Sequence, residues 1–161
     1  MTATTDLSDD HPEDVTVADV GLHLFGGVSS FHGMAATVAC FEDNVLVHEA
    51  LAAPGDGRVL VVDGGGSLRT ALFGDKLATV ALDHGWVGVV VHGAIRDAAT
   101  LAEMPIGVAA LAAHPRRSAK RGDGSVDVPV SFLGVTVRPG DWVYVDADGL
   151  AVAPRPLHLD G

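Results

Sequence analysis

Cysteine is almost absent from this chain: Cys40 stands alone among 161 residues, so no internal disulfide can form. Within "ATVACF" it reads as a small buried hydrophobe on a strand, since a nucleophilic thiol needs a base and an electropositive setting. Long apolar runs are also missing. None approaches the roughly 20 residues that span a bilayer. The first dozen residues, "MTATTDLSDDHP", hold neither an apolar stretch nor a basic flank, so no signal peptide is expected there. Residues 1–12 read as a flexible lead, residues 13–161 as one domain, and the expected setting is cytoplasmic, with no membrane partner. Positive charge is scarce too: ten Lys and Arg stand against 21 Asp and Glu, a formal charge of -11. A phosphate-neutralising surface needs the opposite balance, so direct nucleic-acid binding is not expected. The one basic stretch, "HPRRSAKRGDG" (114–124), reads as a solvated loop.

Several familiar motifs are lacking as well. The histidines have no zinc-type spacing. "DADGL" opens like a calcium loop but has no glutamate at its twelfth position, so it reads as a turn. "DGGGS" lacks the G-x-G-x-x-G pattern that opens directly into a helix, which argues against a dinucleotide loop. Its glycines suit a tight loop with close backbone or ligand approach.

What the chain does contain is a run of alternating elements. "RVLVV" (58–62) is an apolar strand ending at Asp63 and three glycines. In "GDKLATVALDHG", Leu77, Val80 and Ala81 fall at helical spacing, Asp75 sits at the N-cap or in the first turn, and Gly85 closes the helix. "WVGVVVHG" is a continuous apolar run, as in a parallel strand covered on both faces. "DAATLAEM" predicts a short helix stopped by Pro105, and "IGVAALAA" a further strand. Upstream, "FGGVSSFHGMAATVACFEDNVLVHEALAA" reads as strand then helix. Downstream, turn signals at Leu133-Gly134, Pro139-Gly140-Asp141 and Asp146–Gly149 predict hairpins or meandering strands. The fold class is α/β, with a central parallel β-α-β unit and added antiparallel strands. Trp86 and Trp142 are expected in the core or at a subunit contact.

Element order then brings three residues together. Parallel strands joined by right-handed crossovers present their carboxyl ends on one edge, where ligands of open α/β sheets bind. The loop after Asp63 leads to the helix at Gly74-Asp75, and the strand expected to end at His92-Gly93 leads to Arg96-Asp97. The free N–H groups of Gly74, Asp75, Lys76 and Leu77 would form an anion site at the helix start. Arg96 offers a planar fork for a carboxylate or enolate oxygen. Asp97 offers one hard oxygen ligand, which suits Mg²⁺ or Mn²⁺ that keeps waters and takes substrate oxygens. Asp63, Arg69 and His92 lie near the same edge; Asp63 and Arg69 either support the site from behind or serve the structure, and His92 is either a site residue or a packed, hydrogen-bonded imidazole.

Asp75, twenty intervening residues, then Arg96-Asp97 resembles the D-x20-R-D signature of the RraA-like family. The likeness extends over "FGGVSSFHG", "VACFEDNVLVHEAL", "RVLVVDGGGSLRTALFGDKLA", "GWVGVVVHGAIRD" and "LGVTVRPGDWVYVDADGLAV". The resemblance implies a swivelling β/α-type domain assembled as a homotrimer. It implies a divalent-metal-dependent class II lyase that cleaves 4-hydroxy-4-methyl-2-oxoglutarate-type 2-keto acids to pyruvate and decarboxylates oxaloacetate. Carried over, Gly74 to Leu77 and Arg96 would bind substrate and Asp97 would hold the metal; on chemical grounds Arg96 would be catalytic as the stabiliser of the enolate oxygen and Asp75, through a water, as the base. The family also contains regulators of ribonuclease E-type activity, which typically lose the aspartate after the arginine; this chain keeps it. Its short length and "FGGVSSFHG" resemble the regulator branch, so inhibition of such a ribonuclease is the alternative expectation.

Overall fold

The continuous apolar runs become neighbouring parallel strands. The structure, a computed structural model, describes residues 2–159. Its elements run α1 (Thr4–Asp10), β1 (Thr16–Val17), β2 (His23–Leu24), β3 (Phe31–Ala39), α2 (Val45–Leu51), β4 (Val59–Asp63), β5 (Ala71–Phe73), α3 (Asp75–Asp83), β6 (Gly88–Ile95), α4 (Ala98–Leu101) and β7 (Gly107–Ala113). They continue with β8 (Ser125–Val126), β9 (Val130–Phe132), β10 (Val135–Val137), β11 (Trp142–Asp146), β12 (Gly149–Ala153) and a 3-10 turn, Leu157–Leu159. A ten-stranded mixed sheet follows the order β1-β12-β11-β3-β4-β6-β7-β2, with β5 and β8 as side branches. β3, β4, β6 and β7 are mutually parallel, as the β-α-β pattern requires, and the α/β expectation holds.

Both faces of this parallel centre are covered, which is why its strands are apolar throughout. Leu60, Val62, Val89 and Val91 pack with Val47 and Leu51 of α2 and Ala78 and Ala81 of α3. The alternate residues Val59, Val61 and Val90 pack on the other side with Phe132, Val143, Val145, Leu150 and Val152. The antiparallel strands β11 and β12 thus form a wall of the second core. Their hairpin closes through Ala147-Asp148, since Asp146 faces Gly149. β9 and β10 close through Leu133 (φ 48°) and Gly134 (φ 79°), the two positive φ values of a type I′ turn. The turn at Pro139–Asp141 redirects the chain instead of closing a hairpin, because β10 pairs with β9 and β11 with β3 and β12.

Two expectations need correction. Residues 1–12 are not a loose lead over their described part. Thr4–Asp10 forms α1, Leu7 is fully buried against Tyr144, Ala151 and Leu157, and Thr4 donates both its N–H and its hydroxyl to Asp146 (2.9 and 2.7 Å). One leucine buried to this degree contributes roughly 1.5–3 kcal/mol, enough to hold a short helix that would not form alone. Met1 and residues 160–161, the ends of the two expected segments, lie outside the described residues. Secondly, β6 does not stop at His92-Gly93. It continues to Ile95 because β5 supplies a further partner, Ala71 opposite Ala94 and Phe73 opposite Ile95. Trp86 is buried in the core, and Trp142 is half-buried against His158.

Candidate active site

β5 hands the chain directly to α3 through Gly74, and β6 hands it to α4 through Arg96-Asp97. The two handovers are joined: the Arg96 N–H donates to the Phe73 carbonyl at 2.9 Å. Asp97 sits in the left-handed region (φ 61°, ψ 40°), a conformation Asp tolerates better than most residues. Its carboxylate accepts the Asp75 N–H at Oδ2, 3.1 Å away. Gly74 is extended (φ -159°), so its need for glycine is one of space. A Cβ there would lie 2.6 Å from Asp97 Oδ2 and 3.1 Å from Arg96 Cγ.

All six residues singled out by sequence, Gly74, Asp75, Lys76, Leu77, Arg96 and Asp97, line one cleft of about 490 Å³. One detail differs from expectation. The Asp75 amide is engaged by Asp97, so the helix start does not offer four free donors. The first intrahelical bond runs from the Ala78 N–H to the Gly74 carbonyl at 2.9 Å. Helix geometry therefore leaves the Lys76 and Leu77 N–H groups as first-turn donors toward the cleft.

The opposite walls were not foreseen. α2 contributes His48 and Glu49, its N-cap contributes Asn44, and the basic stretch contributes Arg117, Ser118 and Lys120. The segment read as a solvated loop is thus the cationic far wall of the cleft. It is held at both flanks by backbone: the Ala71 N–H donates to the Arg116 carbonyl at 2.7 Å, and the Ala119 N–H to the Glu42 carbonyl at 2.8 Å. Lys120 Nζ donates to Asn44 Oδ1 at 2.9 Å. Buried Asp43 accepts the N–H of Val45 at Oδ1 and those of Arg121, Gly122 and Asp123 at Oδ2, between 2.8 and 3.3 Å. Burial alone would raise its pKa, but these four donors outweigh it and hold the carboxyl below its ordinary value. The only sequence signal was the density of cations; what places them is a set of contacts spanning some 80 residues.

The remaining edge residues lie outside the cleft lining. His92 stacks on Phe132 with centroids 4.9 Å apart, and its Nδ1 stands 3.5 Å from Asp63 Oδ1, an ion-pair distance without a hydrogen bond. Arg69 and Ser67 both donate to Glu42 Oε2, at 2.7 and 2.6 Å. The glycine loop between β4 and β5 turns its Gly64 and Gly66 N–H groups onto the His92 carbonyl, both at 3.1 Å. It thus serves close backbone approach. Cys40 is buried, and burial first, then the Asp43 and Asp63 carboxylates, push its thiol up to about 12.

The donor set bears on a metal ion. Among the described residues no three His, Cys, Asp or Glu side chains converge into a group able to hold one, so a cage closed by protein ligands is not built here. Asp97 offers a single hard carboxylate on the lining of the cleft. That fits Mg²⁺ or Mn²⁺, which retain waters and accept substrate oxygens.

A family model described as RraA-like, Aldolase/RraA, matches residues 4–152. A Xanthomonas campestris pv. campestris protein provisionally named 4-hydroxy-4-methyl-2-oxoglutarate aldolase is 55% identical over 99% of this chain and 96% of its own. A solved structure from Thermus thermophilis, described as the RNA-processing inhibitor RraA, is 52% identical with a TM-score of 0.93, covering 97% of this chain and 94% of that one. Another, from Geobacillus kaustophilus, described as an S-adenosylmethionine: 2-dimethylmenaquinone methyltransferase, is 47% identical with a TM-score of 0.96 over 99% of both chains. With the family model spanning nearly all of the sheet and both halves of the Asp75 and Arg96-Asp97 pair, the chain belongs to the RraA-like family.

Proposed function

We propose that the protein is a divalent-metal-dependent class II lyase acting on 2-keto acids that carry a second carboxylate. Its reactions are cleavage of 4-hydroxy-4-methyl-2-oxoglutarate-type substrates to pyruvate and decarboxylation of oxaloacetate. The observation that carries this reading is the union of a helix start, a guanidinium and a carboxylate in one cleft, locked by the Asp75 N–H to Asp97 hydrogen bond. The provisional aldolase name of the Xanthomonas relative supports it. A divalent ion held by Asp97 would supply Lewis acidity toward the 2-keto acid oxygens.

The chain's own groups account for the rest. The Lys76 and Leu77 N–H groups bind the substrate's 1-carboxylate, aided by the helix dipole. Arg96 lies beside the 2-keto oxygen. When the C3–C4 bond breaks, its electron pair forms the C2–C3 double bond of a pyruvate enolate, and Arg96 stabilises the charge that develops on oxygen. In the aldol case Asp75, through a water, takes the 4-hydroxyl proton as the C4 carbonyl forms. In oxaloacetate the same bond breaks with loss of CO₂. A proton then returns to C3. Arg117 and Lys120, on the far wall, receive the second carboxylate.

The test is pyruvate release from oxaloacetate with Mg²⁺, with and without EDTA, corrected for decarboxylation by the metal alone. Release above that background is expected. No excess would move the account to a second reading, a protein-binding regulator of a ribonuclease E-type enzyme. That reading is favoured by the 52% identity to the RNA-processing inhibitor and by the acidic surface, which can imitate a nucleic acid. Inhibition of a purified ribonuclease E tests it. A methyltransferase reading gains no support from the glycine loop, whose Gly64 and Gly66 amides are engaged by His92 and which opens into β5 rather than a helix.

A further inference from the structure

The cationic far wall has no secondary structure of its own beyond isolated bridges opposite Asp43 and Ala71. Arg117 and Lys120 are exposed side chains on a segment that turns away sharply at Gly122 (φ 89°). Such a segment keeps its place only through its anchors. On the side where it leaves the cleft, backbone bonds tie Ala119 to Glu42 and Asn44, and one carboxylate holds the residues that follow: Asp43 is 2% exposed, and its Oδ2 alone accepts three successive amides, Arg121, Gly122 and Asp123. Those amides immediately follow Lys120. The same residue's Oδ1 accepts the Val45 N–H at the start of α2, the element that brings Asn44 and His48 to the cleft. Asp43 is therefore covalently next to one wall and hydrogen-bonded to another, while its own side chain is absent from the cleft lining.

We propose that Asp43 is a positioning residue for substrate selection. It sets the separation between the cationic wall and the Arg96 and α3 wall, and so decides whether a second carboxylate on the substrate is recognised. This rests on the reading of the cleft as a 2-keto acid site. It assigns Asp43 no contact with substrate. A 2-keto dicarboxylate spans both walls; a monocarboxylate such as pyruvate needs only the wall of α3 and Arg96. Replacing Asp43 by Asn keeps shape but removes the charge, and one face of the new amide then presents N–H groups to backbone N–H donors. The wall loses the anchorage that follows Lys120, while Asp75, Arg96 and Asp97 keep theirs, which come from β5 and β6.

Calorimetric titration in Mg²⁺ compares 2-oxoglutarate, a non-reacting dicarboxylate probe, with pyruvate. In the wild-type protein 2-oxoglutarate is expected to bind more tightly. In Asp43→Asn its dissociation constant is expected to rise about tenfold, the scale of one lost hydrogen bond to a charged group, with pyruvate binding unchanged. Lys120→Ala is expected to give the same selective loss, and the double variant no more than either alone. Should Asp43→Asn not fold, Asp43→Glu, which keeps the charge but displaces it by one methylene, is read in the same way. Equal wild-type affinity for the two acids, parallel loss of both in the variant, or additive losses in the double variant would overturn the assignment. Selective binding without any turnover would count against the proposed reactions and leave the role of Asp43 standing.

Discussion

Cys40 illustrates how far a single residue can be read before its surroundings are known. Its place within the apolar run "ATVACF" marked it as buried, and the fold sets it just past the end of β3 with two carboxylates nearby. A thiol pushed up to about 12 holds almost no thiolate near neutrality. The native protein is expected to resist a thiol reagent such as DTNB at pH 8 and to react fully once unfolded in guanidinium. Rapid reaction of the folded protein would contradict the burial. Asp75, Arg96 and Asp97 were legible for a different reason. Two parallel crossovers must deliver their loops to one edge, so the spacing of the charges became a statement about space. Arg117 and Lys120 were not legible, because a run of cations looks alike in a solvated loop and in a cleft wall. Contacts with Ala71 and Glu42, and with Asp43 some 80 residues upstream, separate the two cases.

Among the elements, those with a long apolar period were visible in advance: β4, β6 and β7 as unbroken runs, α3 by helical spacing between Gly74 and Gly85. Two short elements, β5 and α1, were hidden. β5 has three residues after a glycine loop, and its strand state is imposed by the tail of β6. α1 has one deeply buried apolar residue, Leu7, and leans on β11 and β12 for its order. That dependence has a pH signature. Burial alone would raise the Asp146 pKa, but hydrogen bonds from Thr4 and Asp148 outweigh it and hold the carboxyl below its ordinary 3.8. A carboxyl depressed in the folded state contributes stability that is present above the unfolded-state value and is lost as pH falls through the folded one. Asp146→Asn is expected to lower stability by about 1–2 kcal/mol at pH 7. That deficit should shrink as denaturation is repeated below 3.8. A deficit independent of pH would show that the charge on Asp146 does not hold α1.

The whole molecule carries a formal charge of -11, yet Lys76, Arg96, Arg117 and Lys120 all line one cleft. Glu49, Asp75 and Asp97 line it too, so four cations face three carboxylates there against the acidic excess of the chain as a whole. Phe41, Leu68 and Val126 are exposed at the carboxyl end of β3 and β4, the kind of surface that subunit contacts cover. We propose a homotrimer on the strength of the family resemblance, and light scattering is expected to give a mass three times the 16.5 kDa chain; a monomer would contradict it. The most direct test of the cleft is Mg²⁺-dependent pyruvate release from oxaloacetate by the wild-type protein, Asp97→Ala and Arg96→Ala at equal folded concentration. Loss of one preorganised charge stabiliser is expected to slow each variant on the order of a hundredfold, with far-UV circular dichroism unchanged. Turnover by Asp97→Ala equal to that of the wild type would contradict the account.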